Sequence, residues 1–141
     1  MPSATPADVL TRRRHLMLNG DADGLADLFA PGAVIEFSFH GPPGTPVRLE
    51  GQEAIREYSR QVMASPLRLE DYEVTELYQT QDPEVVIAEM WAKATVTTTG
   101  RSITATSIQI LRIREGHIVL FRDFADPRVL EEVIGEPRPG S

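Results

Sequence analysis

Asp123 stands inside an otherwise apolar strand pattern, His117-Ile118-Val119-Leu120-Phe121-Arg122-Asp123-Phe124-Ala125. A carboxylate placed where a strand buries apolar side chains loses its hydration and is costly unless a partner or a ligand compensates it. Such an acid suits general acid or base catalysis. The competing reading is a structural aspartate tied to Arg122 or to a helix N-terminus, because structural ion pairs also perturb acids. Gln109, in Ser107-Ile108-Gln109, offers an uncharged donor for a developing oxyanion. Arg13 falls on one helical stripe with Val9, Leu16 and Met17, which places a guanidinium among apolar groups. There it would hold a substrate carboxylate or Asp123 itself. The alternative is snorkelling, with a buried stem and the charge at the rim. Its neighbours Arg12 and Arg14 read as a solvated face.

Phe37 and Phe39, at period two, read first as core and then as pocket lining, and Tyr58 on the third helix reads similarly. Met90 and Phe121 would shape a substrate, with Ser107 on the same surface as Gln109 and Asp123. His15, His40 and His117 have no metal-site spacing, and the chain has no cysteine, which excludes thiolate nucleophiles and Cys-ligated metals. There is no Gly-x-Ser-x-Gly, phosphate loop or dinucleotide fingerprint. Neither a cofactor nor a metal is expected.

These side chains need elements to position them. Thr5-Pro6-Ala7-Asp8 starts a helix that runs to about Leu18 and ends at Asn19-Gly20. Asp21 caps a second short helix, which Pro31-Gly32 stops. Residues 33–39 read as a strand broken by Gly41-Pro42-Pro43-Gly44, residues 47–49 as a short strand, and residues 52–63 as a third helix. Residues 67–78, 85–98, 102–113 and 117–124 read as long antiparallel strands joined by short turns. Arg114-Glu115-Gly116 fits a three-residue hairpin loop pairing Ile113 with His117, which places Ser107 beside Asp123 and Gln109 beside Phe121. A two-residue turn would instead bring Ile108 beside Asp123. On the neighbouring strand Met90, Ala92, Ala94 and Val96 form an apolar row facing the helices, so Trp91 points outward.

Helices followed by a meander imply an α+β domain, with a curved, mixed, mostly antiparallel sheet wrapped around three helices from the N-terminal half. A sheet curled this way makes a cone with a mouth. One domain spans residues 1–141, with a core at about 6–127 and a frayed tail from 128.

Pro31-Gly32-Ala33-Val34-Ile35-Glu36-Phe37, Arg48-Leu49-Glu50-Gly51-Gln52-Glu53-Ala54-Ile55 and Gly116-His117-Ile118-Val119-Leu120-Phe121-Arg122-Asp123-Phe124 resemble the SnoaL-like branch of the nuclear transport factor 2-like superfamily. The ending Arg122-Asp123-Phe124-Ala125-Asp126 with Ile134-Gly135-Glu136-Pro137 is similar to the phenazine-biosynthesis A/B proteins, which carry an acid near the Asp123 position. The resemblance implies the cone fold and leaves the activity open among ketosteroid isomerases, polyketide cyclases, epoxide hydrolases, dehydratases and proteins without catalysis. Ketosteroid isomerase chemistry is not implied. Phe37 stands at its first-strand base, about Arg13 at its helix-one tyrosine, and Ser107-Ile108-Gln109 lacks its oxyanion acid.

A net charge of −7 and a single lysine, Lys93, argue against nucleic acid and anionic membranes. No run approaches the ~20 apolar residues of a membrane span, and the first residues lack a signal-peptide pattern, so a cytoplasmic protein is expected. The expected partners are an apolar small molecule and a second copy, paired through the sheet by Trp91 and its threonine-rich row. The expected function is a cofactor-free cyclase or isomerase of a natural-product pathway, with Asp123 as acid or base and shaping by Phe37, Met90 and Phe121. An epoxide hydrolase or dehydratase is the rival enzyme, and a binding protein without turnover the rival from another class.

Overall fold

The computed structural model describes residues 4–39 and 47–126. His40, the Gly41-Pro42-Pro43-Gly44 break and the tail lie outside the described residues. Helix α1, Pro6–Leu18, starts at a reciprocal cap in which Asp8 N donates to Thr5 Oγ1 and Thr5 N donates to Asp8 Oδ2. Asn19 Nδ2 closes its end on His15 O, and Gly20 takes the left-handed conformation that turns the chain back. Helix α2, Ala22–Asp27, is held by the Asp21 carboxylate, which accepts from Gly24 N.

Strand β1 is Phe29–Phe37, starting four residues before the sequence reading. Pro31-Gly32 does not stop α2; it lies within β1, where the register shifts between Phe29 and Val34. A bulge tolerates a proline because no ladder donor is needed there. Then follow β2 (Val47–Glu50), α3 (Gln52–Ala64), β3 (Leu67–Gln79), β4 (Val85–Val96), β5 (Arg101–Arg114) and β6 (His117–Ala125). The Gln52 side chain pins the start of α3 by donating to Ala26 O and Phe29 O.

These six strands form one open sheet in the order β2-β1-β6-β5-β4-β3. Only the β1–β6 pair is parallel. The sheet is thus mixed and mostly antiparallel, with three helices, the α+β cone that the sequence implies. Its inner row on β4, Val86, Ala88, Met90, Ala94 and Val96, is buried. Val9, Leu10 and Leu16 of α1 and Ile55 of α3 are buried as well.

The β5–β6 hairpin departs from the expected loop. Arg114 pairs with His117, so Glu115 and Gly116 alone make the turn, and both have positive φ, as a two-residue turn matched to strand twist requires. A bulge then leaves Val119 unpaired, since Ile113 faces Ile118 while Arg112 faces Leu120. Beyond it Gln109 faces Asp123, Leu111 faces Phe121 and Ser107 faces Ala125. Neither expected neighbour of Asp123, Ser107 or Ile108, stands opposite it.

Candidate active site

Helix α1 delivers Arg13 to the sheet. Arg14 clamps the helix from outside, donating to Tyr72 O, Asp71 and Glu73 of β3, so it is a bridge rather than the solvated side chain expected. Arg13, one residue before, then points inward and is only 6% exposed. This is burial of the charge, not snorkelling. Its Nη1 donates to Gln109 Oε1 at 2.7 Å, and its guanidinium lies 4.4 Å from the Phe121 ring centroid and 5.5 Å from that of Tyr72. The Gln109 amide and the Phe121 and Tyr72 rings thus surround the buried guanidinium, which a cation taken out of water needs.

Asp123 reaches the same space from β6, whose bulge aims it inward beside Gln109. Arg122, its expected structural partner, points to the opposite face and donates to Glu36 at 2.7 Å. Asp123 Oδ1 is sealed from solvent. Two phenols feel its charge. The Tyr58 hydroxyl is pushed above its ordinary value by burial and then by Asp123. The Tyr72 hydroxyl is pushed up by burial, with Arg13 opposing and Asp123 adding. Both stay protonated donors at neutral pH. Tyr72 is 1% exposed, and its hydroxyl has no hydrogen-bond partner among the described residues.

Beside these groups lies a cavity of about 200 Å³ between α1, α3 and the β1–β6 pair. Arg13, Phe37, Tyr58, Phe121 and Asp123 line it, with the Phe37 and Tyr58 rings 5.4 Å apart. Gln109 is buried behind Arg13 and does not itself line the cavity. Three expected lining residues lie elsewhere. Met90 and Ser107 pair with each other and border a shallow depression with Trp91, Ile108 and Phe124. The hairpin register moved Ser107 away from Asp123, and Met90 lies two strands from it. Phe39 is 59% exposed with its ring against Phe124, because β1 ends at Phe37 and the alternation ends with it.

Sequence reasoning missed Ser59, Tyr72, Met17 and the Val62-Met63 pair. A signal existed for Ser59, a small polar residue within the apolar stripe Ile55, Tyr58, Val62 of α3. Tyr72 was likewise an aromatic among Glu70, Asp71 and Glu73. Among the described residues no three His, Asp or Glu side chains gather as a metal site would require.

Residues 11–121 match the SnoaL-like domain family. An uncharacterized PhzA/B-like protein of Pseudomonas aeruginosa is 36% identical over 128 residues, covering 91% of this chain and 89% of that protein. A Bacillus subtilis structure, provisionally described as an isomerase, superposes with a TM-score of 0.83 at 30% identity, covering 92% of this chain and 91% of that one. The epoxide hydrolase/cyclase-like enzyme SalBIII, of pyran ring formation in salinomycin, superposes with a TM-score of 0.70 at 21% identity over 87% of this chain and 92% of that one, a likeness of fold. The match over residues 11–121 and the 36% identical relative, on this fold, place the chain in the SnoaL-like domain family of the nuclear transport factor 2-like superfamily.

Proposed function

We propose that this protein is a cofactor-free cyclase or isomerase of an apolar small molecule, in which Asp123 moves the proton and Arg13 holds the developing oxyanion. The observation that carries the reading is Asp123 and Arg13 on one cavity, with Gln109 fixing Arg13 from behind at 2.7 Å. As a carboxylate, Asp123 takes a proton from the carbon next to a substrate carbonyl. The electron pair moves onto the carbonyl oxygen, where Arg13 donates to it, preorganised by its hydrogen bond and by the Phe121 and Tyr72 faces. In a β,γ-unsaturated substrate, protonated Asp123 then returns the proton at the γ carbon of the dienolate, the carbonyl reforms and the double bond moves into conjugation, which is isomerisation. Alternatively the enolate carbon attacks a second carbonyl carbon of the same molecule, whose π bond opens onto its oxygen; that oxygen takes the proton from Asp123 and a ring is closed. Phe37, Tyr58 and Phe121 supply the walls that hold near-attack geometry.

The SalBIII likeness supports cyclisation through the fold alone. Hydrolysis of an epoxide with two acids is less well supported, since Asp123 is the one acid lining the cavity among the described residues. The test is turnover of a β,γ-unsaturated ketone by the native chain and by Asp123→Asn. A loss of about a hundredfold or more at unchanged substrate affinity is expected, the size of a general acid–base contribution. Binding with no turnover in either protein would identify a binding protein instead.

A further inference from the structure

A second cavity of about 270 Å³ opens beside the first, between the C-terminal ends of α1 and α3 and the ends of β3 and β4. Met17, Val62 and Met63 line both. Beyond them its walls are Leu18, Leu67, Leu69 and Ala94, with Arg68 and Gly20 also in its lining and Arg68 paired to Glu70. We infer that this second cavity is a subsite for an apolar arm of the substrate, so that the substrate is an elongated ketone or related carbonyl compound. Its carbonyl meets Arg13, and its alkyl or aryl arm passes Met17, Val62 and Met63.

Four observations converge on that occupant. The first cavity alone is smaller than the ~300–1,000 Å³ usual for small-molecule sites, and the two joined fall within that range. The partition is built from two thioethers and one valine, and Met side chains change rotamer with little cost. Val62 is 40% exposed although it lies on the apolar stripe of α3, so the helix end leaves an apolar surface uncovered between the two cavities. The lining of the second cavity has no acid and no hydroxyl, which selects hydrocarbon.

This inference rests on the proton-transfer reading for the place of the carbonyl, and its test is separate. Binding of 2-butanone, 2-hexanone and 2-octanone to the whole protein would be followed by methyl chemical shifts. Affinity should rise by up to about fourfold per added methylene once the arm passes the partition, the ratio for one buried methylene. The shifts of Leu67 and Leu69 should move with 2-octanone and stay still with 2-butanone. Ala94→Phe, checked for folding, should erase the length dependence, and Leu69→Trp nearer the mouth serves the same purpose if Ala94→Phe does not fold. Equal affinities along the series, or a length dependence that survives either variant, would overturn the subsite. Leu67 and Leu69 shifts that depend on protein concentration without ketone would assign the groove to a second copy and overturn it too. Loss of the length dependence leaves the Asp123→Asn result untouched, and the reverse holds, so the two failures are distinguishable.

Discussion

At the scale of single residues, the site rests on one buried cation. Arg13 and Gln109 satisfy each other, so removing either strands the other. Arg13→Met leaves Gln109 Oε1 buried without a donor, and Gln109→Leu leaves the guanidinium without its acceptor. Each single change should destabilise by about 1–3 kcal/mol, while the double variant costs less than the sum. Urea unfolding of the four proteins measures that coupling, and strict additivity would remove the pair as a unit. Tyr72 makes the opposite case. Its sealed hydroxyl has no partner among the described residues, so Tyr72→Phe should raise stability by about 1 kcal/mol. Tyr72 does not line the cavity, so turnover should be kept in the same variant. A calorimetric melt paired with an activity assay checks both, and a lower melting temperature would contradict the assignment.

At the scale of elements, the bulge at Val119 decides what Asp123 can do. A regular hairpin after the Glu115-Gly116 turn would bring Ile108 opposite Asp123. One extra residue puts Gln109 there and turns the acid toward α1. The same hairpin is braced beside its turn, where Glu84 accepts from Arg112 Nη1 and from Nε and Nη2 of Arg114. These arginines hold the Glu84 carboxyl down from 4.5 to about 2. A carboxyl depressed on folding stabilises fully above its ordinary value, and that stabilisation disappears as pH falls toward the folded value. Glu84→Gln should therefore flatten the fall in stability between about pH 4.5 and 2 and leave its shape above pH 5 unchanged. Denaturation curves taken across that range check it, and equal slopes in both proteins would refute it.

At the scale of the whole molecule, the outer sheet face carries an apolar area with no partner among the described residues. Ile108 is 48% exposed there, beside Trp91 and Phe124, with Phe39 packed on Phe124. Aromatic groups grouped on an open sheet face suit an interface more than solvent. We propose a homodimer through this face. Light scattering at micromolar concentration should give twice the chain mass, and Ile108→Glu should shift it to the single-chain mass. A single-chain mass for the native protein would end the proposal.

Much of the architecture was legible from local chemistry. Thr5, Asp8 and Pro6 announce α1, Asp21 announces α2, and the period-two row on β4 predicts which face meets the helices, because caps and alternation act over a few residues. Asp123 was also legible, as a charge in an apolar strand. Its neighbours were not. A one-residue difference in turn length and a bulge reset every cross-strand pair, and neither is written in the local pattern. The Pro31-Gly32 segment read as a stop because its neighbours alone suggest one, whereas pairing with β6 carries it into β1. Arg13 stood on an apolar stripe, yet whether its charge is buried depended on Gln109, Tyr72 and Phe121, which lie 59 to 108 residues away and meet it only in the tertiary structure. The sequence by itself determined the family and the elements. The folded chain decided which polar groups share a cavity, since that depends on long-range register and on helix position over the sheet.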